Sequence, residues 1–469
     1  MSIIFNTDSY KVTHHDQFPV GTQYTRYYVE ARGGYSDYTV QAGINYIVNI
    51  LEKGVTKKQV QRMKHLMQLH FGAAYFNYEG WMKLAERFEQ GKGLPIGIEA
   101  IPEGSVVPVK NALAIVYNTD PEFFWLPGWI ETALLRAVWY PTSVATRSRQ
   151  CKVILHKYLS ETSDLTGEAY WMTLGTRLHD FGARGATSEE SASIGGLAHL
   201  YNFIGTDTIE ALIMGQDLLG EQGAAGISVA AREHSTTTSW GKENEQQAYL
   251  NSVQFYGANL YSCVMDSYSF KKAIMGLADI KDQIIEAGGV FIARPDSGDM
   301  FENIQFALEN LGEIFGYSVN NKGFKVLSGS VRIIQGDGLD NHEDIEAVCK
   351  FVKELGWSIE NIAFGMGGGL HQKLDRDTHK FAMKCSAITI DGKHHDVFKN
   401  PEGAAWKASK KGNLMTLRKG DEYVTIDTNE QDQAQWLKDG WVNAMKLYYY
   451  EGAMPLEDTL QEIRKRTAV

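Results

Sequence analysis

The chain is poor in cysteine, in proline and in positive charge, and each shortage excludes something. Four cysteines in 469 residues, Cys151, Cys263, Cys349 and Cys385, stand far apart with no CxxC pair. That is too sparse for a disulfide framework or a zinc ribbon and suits a reducing compartment, so the expected location is cytoplasmic. Ten prolines form no Pro-rich linker, and repeats and low-complexity tracts are absent; any domains are packed closely or interleaved rather than tethered. Lys plus Arg number 46 against 57 Asp plus Glu, a net charge of −11, which argues against a nucleic-acid scaffold or a polybasic membrane binder. Such a surface repels phosphates on average, so a phosphate site has to be built from a few local cations. No apolar run approaches the ~20 residues that cross a bilayer. The opening MSIIFNTDSYKV has neither the basic start nor the apolar stretch of a signal peptide. HExxH, GxSxG, a Walker GK[ST] and a basic aromatic stripe are all missing, which removes zinc proteases, elbow hydrolases, P-loop enzymes and nucleic-acid binders.

What is present is a globular composition, 43% hydrophobic and 22% charged, with length for two or three domains. TQYTRYYVEAR (22–32) alternates and is rich in Tyr, Val and Thr, as a strand is, whereas Lys57–Phe71 has helical spacing. Residues 97–118 read as short strands broken by Pro102 and Gly104, and 121–156 as two helical pieces interrupted by Pro141. From about 170 to 370 the grammar changes. Apolar runs end repeatedly in polar, Gly-containing turns that lead into helical segments: GISVAAREHSTTTSWG (226–241), LYSCVMDSYSFKKAI (260–274), GGVFIARPDSGDMFENIQFALENL (288–311), VRIIQGDGLDNHEDIEAVCKFVKEL (331–355) and NIAFGMGGGLHQKL (361–374). Strand, loop and helix in series predict a parallel sheet or barrel whose ligand lies at the carboxyl ends of the strands, where EHS, DS, RPDSGD, GDG and GMGGG all fall. The last ninety residues return to alternating strands and a short helix with Pro455 near its start. One domain is therefore expected to be discontinuous around a central barrel.

Taken singly, the turns are ambiguous. GMGGGL (365–370) can bring backbone N–H groups onto a phosphate, helped by a following helix, or be a plain turn. QGDG (335–338) permits close approach and offers Asp337 to a sugar hydroxyl, or is an ordinary strand-to-helix turn. RPDSGD (294–299) puts Arg294 and Asp296 on one strand face, as an anion fork with a ribose or metal-water acceptor, or as a structural ion pair. In EHSTTTSWG (233–241) His234 beside Glu233 is either a base or phosphoryl acceptor or a buried histidine held by hydroxyls. LHDFGARG (178–185) brings Phe181 near Arg184, a stacking ring beside a cation, or a core ring and a surface charge. GTDT and VMDS present Asp207 and Asp266, acceptors or helix caps. HHD (394–396) reads as surface strand.

Together these segments resemble the nicotinamide phosphoribosyltransferases, members of the type II phosphoribosyltransferase family. The resemblance runs nearly end to end, through TDSYKVTHHDQFP (7–19), NTDPEFFWL (118–126), LHDFGARG, GTDT, EHSTTTSWGKE, DSYS, RPDSGD, IQGDG, ENIAFGMGGGL, QKLDRD, MKCS, VFK and SKKG. It implies an irregular α/β barrel over 143–377 and an α+β flanking domain built from 1–142 and 378–469. It implies phosphoribosyl transfer from phosphoribosyl pyrophosphate to nicotinamide, coupled to ATP hydrolysis through a phosphohistidine, in a homodimer with shared active sites. Phe181 and the partner chain's Tyr10 would sandwich the pyridine, with Asp8 alongside among the substrate-binding residues. Asp207 would accept the amide N–H, and Arg294 with Ser262 would hold the carbonyl. Asp296, Gly336 and Asp337 would take the ribose, while Gly367 and Gly368, with Arg376 and Lys384 of the partner chain, take the 5′-phosphate. Arg184, Arg32 and Lys399 are candidates for the pyrophosphate, and Lys407 joins the same cationic group. His234 would be the phosphorylated histidine, with Glu233 beside it and Asp266 orienting its ring. Mg2+ is expected mainly on pyrophosphate and water, with no protein ligand assigned.

The chain departs from animal members at Ala382, where they carry a phosphate-binding serine, a loss of about 1 kcal/mol of phosphate affinity. It departs also at Arg177, where they carry lysine, and in a shorter segment after Arg32. Two other readings compete. A nicotinate phosphoribosyltransferase is disfavoured because Asp207 would repel the substrate carboxylate. A non-catalytic ligand-binding protein of the same fold is disfavoured by the retained His234 and Asp296.

Overall fold

In the computed structural model, residues 1–400, 402, 408–455 and 458–469 are described; Lys407 and Glu457 lie outside them. The chain divides into two compact units. The first takes Met1–Thr146, Asp217–Glu221 and Leu374–Ala468; the second takes Arg147–Gln216, Gln222–Lys373 and Val469. The cuts fall at 146/147 and 373/374 rather than the expected 142/143 and 377/378. The first cut lies inside the helix Glu131–Thr162, where no turn residue marks it.

The flanking unit is built on a six-stranded antiparallel sheet. Its order is Lys393–Asp396, Ala382–Ile390, Thr22–Glu30, Ala112–Asn118, Ile96–Ala100, Lys446–Tyr450. The Tyr- and Val-rich strand Thr22–Glu30 sits in the middle, its residues Tyr28 and Val29 fully buried, as β-branched and aromatic side chains favour. Helix Lys57–Phe71 forms where its spacing placed it; Thr56 and Gln59 cap its start reciprocally and Gly72, at φ +68°, ends it. Trp81 packs against Trp125 and Trp129 at centroid distances of 5.3 and 4.9 Å, tilted and edge-on.

Pro141 does not interrupt the helix it sits in; Glu131–Thr162 runs straight through it. A proline leaves the carbonyl four residues back without its helical donor and crowds it. Here that carbonyl belongs to Ala137, and the backbone of Gly43 packs against it so closely that a Cβ would lie 1.9 Å from the oxygen. Gly43 also needs its φ of +89°, so only glycine fits. One turn on, the Thr142 hydroxyl accepts from Ala42 N–H and donates to Ala42 C=O, both at 3.1 Å, and Thr146 accepts from Val40 N–H. The helix is thus pinned to residues 40–43. At the far end of the chain the last helix is Leu460–Arg466, capped by Thr459 and Glu462, so it starts later than Pro455.

The barrel unit is a seven-stranded parallel sheet ordered Gly205–Thr206, Leu178–Asp180, Ile362–Met366, Val331–Gln335, Val290–Arg294, Leu260–Val264, Ala230–Arg232. A parallel bridge between Gly205 and Ile227 brings the two edges together. Strand order around the curled sheet therefore follows chain order, as a series of right-handed strand–helix crossovers requires. Fully buried Phe291, Ile333 and Phe364 come from successive strands of this sheet. Each strand predicted from the repeated grammar is present, and the polar turns all lie at one end of the sheet, beyond the carboxyl termini of the strands. Among the described residues, no helix is long and apolar enough to cross a membrane. All four cysteines are free.

Candidate active site

At the carboxyl mouth of the barrel lies a cavity of about 440 Å³ lined by Phe181, Arg184, Asp207, Glu233, His234, Arg294, Asp296, Gly336 and Gly367 among others. A smaller interior cavity of about 130 Å³ shares Phe181, Asp207 and Arg294 with it and continues past His179, Ser262 and Arg332. Phe181 is seated on glycine. A Cβ on Gly365 would lie 2.1 Å from its ring, and its N–H donates to Met366 C=O at 3.0 Å. The Arg294 guanidinium stands over that ring, 5.5 Å from the centroid. It also donates to Asp296 Oδ1 through Nε (3.1 Å) and Nη2 (2.5 Å), so the two meet although Asp296 lies just beyond the strand that ends at Arg294. Asp207 accepts from Ser228 Oγ, and Ser262 Oγ is buried without a hydrogen-bond partner among the described residues.

His234 opens the five-residue helix His234–Thr238. Its Nδ1 is 3.3 Å from Ser267 Oγ and its Nε2 is 3.3 Å from Asp296 Oδ2. Asp266, expected to orient the ring, instead stands 3.7 Å away at Oδ1, while its Oδ2 accepts from Ser297 Oγ. The sequence reading missed Ser267; its only signal was its place directly after Asp266. Glu233 does not reach the imidazole. Its carboxylate accepts from Ser235 Oγ and its backbone N–H donates to Thr236 Oγ1, which ties it to the first turn of the helix.

The glycine turn ends in a helix of one turn, Gly368–His371, too short for the dipole contribution expected of it. Gly367 lines the cavity and Gly368 is exposed, so any anion here is met by backbone N–H groups. Gly336 lies against Arg294 and Phe181, at 3.3 and 3.6 Å from where its Cβ would be, and Asp337 is exposed just beyond.

A second group of candidates belongs to the flanking unit. Arg32, Arg376, Ala382, Lys384 and Lys399 line a cavity of about 360 Å³ together with Lys380. Burial first, and then Arg32, Lys399 and Arg376 nearby, push the Lys384 ammonium below its ordinary value. Arg32 is held by Glu30 at 2.7 Å, yet its Nη2 is buried without a hydrogen-bond partner among the described residues. This is cationic density suited to a phosphate. Arg376 and Lys384, expected for the 5′-phosphate, and Arg32 and Lys399, expected for the pyrophosphate, line this one cavity together. Tyr10 and Asp8 are in this unit too. Tyr10 is 59% exposed, edge-on to His14, and Asp8 accepts from Thr132 Oγ1. Arg177, in the barrel unit, donates to the carbonyls of Thr173, Glu360 and Ile362. The HHD strand is exposed, as read. Asp396 with Asp427 and Glu430 makes a carboxylate triple, but Lys411 already bridges Asp396 and Glu430, and His394 pairs with Asp396.

An aromatic ring, a guanidinium–carboxylate pair beside it, and a glycine cradle at the mouth of a parallel barrel with a discontinuous flanking unit are the layout of a type II phosphoribosyltransferase. The fold has solved counterparts. Nicotinate-nucleotide pyrophosphorylase from Pyrococcus furiosus superposes with a TM-score of 0.62 at 15% identity, covering 99% of this chain and 94% of that one. Human nicotinic acid phosphoribosyltransferase gives 0.59 at 15% identity, covering 98% and 92%. In sequence, residues 176–441 match the nicotinate phosphoribosyltransferase (NAPRTase) family, and residues 2–98 match the N-terminal domain of nicotinamide phosphoribosyltransferase. Nicotinamide phosphoribosyltransferase of Xanthomonas campestris pv. campestris is 44% identical over 423 residues, 89% of this chain and 88% of that protein. The enzyme of the same name from Acinetobacter baylyi is 28% identical over 98% of this chain and 96% of its own length. The chain belongs to the nicotinate phosphoribosyltransferase family and is similar over most of its length to the members named nicotinamide phosphoribosyltransferase.

Proposed function

We propose that the protein transfers the phosphoribosyl group of 5-phosphoribosyl 1-pyrophosphate to nicotinamide, releasing pyrophosphate and giving nicotinamide mononucleotide for NAD salvage in the cytoplasm. The observation that carries this reading is one cavity lined together by Phe181, Asp207 and Arg294, whose guanidinium stands over the Phe181 ring. A primary amide has both a donor and an acceptor, and this pair of residues complements both; a carboxylate would meet Asp207 as a like charge. Ser262 Oγ, buried and without a partner among the described residues, is a second donor for the carbonyl.

The bond from C1′ to the pyrophosphate oxygen breaks as the pyridine nitrogen forms its bond to C1′. The ribose becomes oxocarbenium-like and the leaving group gathers charge. Phe181 keeps the ring flat and in line, Asp296 and Asp337 hold the ribose hydroxyls, and Gly336, Gly367 and Gly368 bring backbone to the sugar phosphate. Arg184 at the rim, with the Arg32, Lys399, Arg376 and Lys384 group supplied across a homodimer, balances the charge on the phosphates. Asp266 Oδ1 is buried without a hydrogen-bond donor among the described residues, and with Asp296 it offers the hard oxygen ligands that fit magnesium. When bound, magnesium supplies further positive charge to the pyrophosphate. His234, presented between Ser267 and Asp296, is placed to take the γ-phosphoryl group of ATP on a ring nitrogen, with ADP leaving; water later removes the phosphoryl as inorganic phosphate.

The test is product formation from phosphoribosyl pyrophosphate with nicotinamide and nicotinate in parallel. Nicotinamide should be the better substrate, and Asp207→Asn should lower kcat/KM for nicotinamide by about 100-fold while narrowing the preference. Faster turnover of nicotinate by the native enzyme would overturn the reading. Incubation with ATP and magnesium should leave acid-labile phosphate on the native chain and none on His234→Ala.

A further inference from the structure

Behind the cavity lies a buried carboxylate–histidine pair that touches no substrate position. Asp180 ends the strand Leu178–Asp180 and is fully buried, as is His371, at the end of the helix that follows the glycine turn. The His371 Nε2–H donates to Asp180 Oδ1 at 2.8 Å, and Gly182 N–H donates to the same oxygen at 2.8 Å. A carboxylate taken out of water is costly unless such donors meet it. Burial alone would raise its pKa, yet the histidine and the Gly182 N–H hold it below the ordinary value. The main chain of Asp180 is engaged as well, its C=O accepting from Asp207 N–H at 3.0 Å. Gly182 touches the second loop directly. A Cβ there would lie 2.2 Å from the His371 ring and 2.9 Å from Gly367 C=O.

Three elements that face the cavity are thus fastened to one buried residue, Asp180: the Phe181 platform through Gly182 and the Gly367–Gly369 turn through His371, both on its carboxylate, and the amide acceptor Asp207 on its main-chain carbonyl. We propose that Asp180 and His371 are positioning residues that couple the pyridine subsite to the phosphate subsite, so that an occupied phosphate turn strengthens pyridine binding. The inference rests on the phosphoribosyl-transfer reading of the cavity. An anion that settles the Gly367–Gly369 turn fixes His371, and His371 fixes Asp180 and with it both pyridine contacts; one packed contact network serves both ligands.

Equilibrium binding of nicotinamide to the full-length enzyme, with and without saturating ribose 5-phosphate, measures the coupling. The native enzyme should gain about tenfold in affinity. Asp180→Asn and His371→Ala should bring that factor below about twofold, and His371→Gln, which keeps a side-chain N–H for Asp180, should restore part of it. Gly182→Ala, whose methyl presses on the His371 ring, is a milder second variant expected to lose the factor too. A folded variant among Asp180→Asn, His371→Ala and Gly182→Ala that keeps the native factor overturns the proposal, as does a native enzyme that turns over nicotinamide yet shows no coupling. A native enzyme that neither binds nicotinamide nor forms product instead overturns the functional reading, and the coupling with it.

Discussion

His199 shows how much of the barrel's chemistry is held by groups that never meet a ligand. Its ring is fully buried, stacked on Phe203 at 5.3 Å, with Nδ1 3.0 Å from Ser148 Oγ and Nε2 3.2 Å from Gly205 C=O. A neutral ring satisfies both contacts, its Nε2–H donating to the carbonyl and its Nδ1 accepting from the hydroxyl. Burial is the main reason its pKa falls to about 4 from an ordinary 6.5; Asp180 pulls it upward, and His371 and His179 push it down. Because the unfolded chain takes up that proton near pH 6.5 and the folded one only near 4, stability is full above pH 6.5. It is lost progressively as pH falls toward 4. His199 contributes about 3 kcal/mol to that loss. Thermal midpoints followed from about pH 7.5 to 4.5 should drop more steeply in the native protein than in His199→Gln; parallel curves would show that the ring does not titrate in this way. The sequence marked His199 in no way, since a buried histidine has no local signature. It singled out His234, because Glu233, His234 and a run of hydroxyls follow an apolar strand, although that motif alone left a buried histidine equally open. It could not say which groups hold the ring, and Ser267 and Asp296 come from two other strand ends.

At the level of elements, what was legible was what repeats locally. Apolar runs ending in EHS, DS, RPDSGD, GDG and GMGGG gave the parallel strands and the end where their turns gather. Features that depend on distant partners were not legible. Asp180 and His371 are 191 residues apart, and Pro141 read as a break because nothing in its neighbourhood announces that Gly43 packs against the carbonyl it frees. The same logic applies to the glycine before the phosphate turn. Gly365 ends in contact with the Phe181 ring, a Cβ there lying 2.1 and 2.2 Å from two ring carbons. Those carbons belong to a platform wedged between Arg294 and the strand, so the ring has to tilt away from its stacking plane. Gly365→Ala should therefore raise the KM for nicotinamide at least about tenfold and lower kcat, since the misalignment persists in the transition state. Gly276→Ala, with nothing within 4 Å of the new methyl, is the control and should leave both constants near native. Equal, small effects of the two substitutions would show that Phe181 is free to move.

On the scale of the whole molecule, the net charge of −11 hides two separate concentrations of positive charge. Arg184 and Arg294 stand at the barrel mouth, and Arg32, Arg376, Lys384 and Lys399 line a cavity of the flanking unit. A substrate carrying a sugar phosphate and a pyrophosphate has more charge than two arginines balance, and the reaction adds to it as the bond breaks. The proposed homodimer answers this by giving each barrel mouth the flanking cations of the other chain. Complementation tests the arrangement with numbers. Asp296→Ala removes a barrel-mouth carboxylate and Lys384→Ala a flanking cation, so each homodimer alone should be nearly inactive. In a mixed dimer one site collects both defects while the other has an intact barrel from the Lys384→Ala chain and intact cations from the Asp296→Ala chain. Random pairing of equal amounts makes half the dimers mixed, with one good site in two, so activity should return to about a quarter of native after co-expression. Sites completed within a single chain would give no recovery, because every barrel mouth would then carry its own chain's defect. A yield near a quarter thus separates exchange of cations between chains from assembly of the site within one.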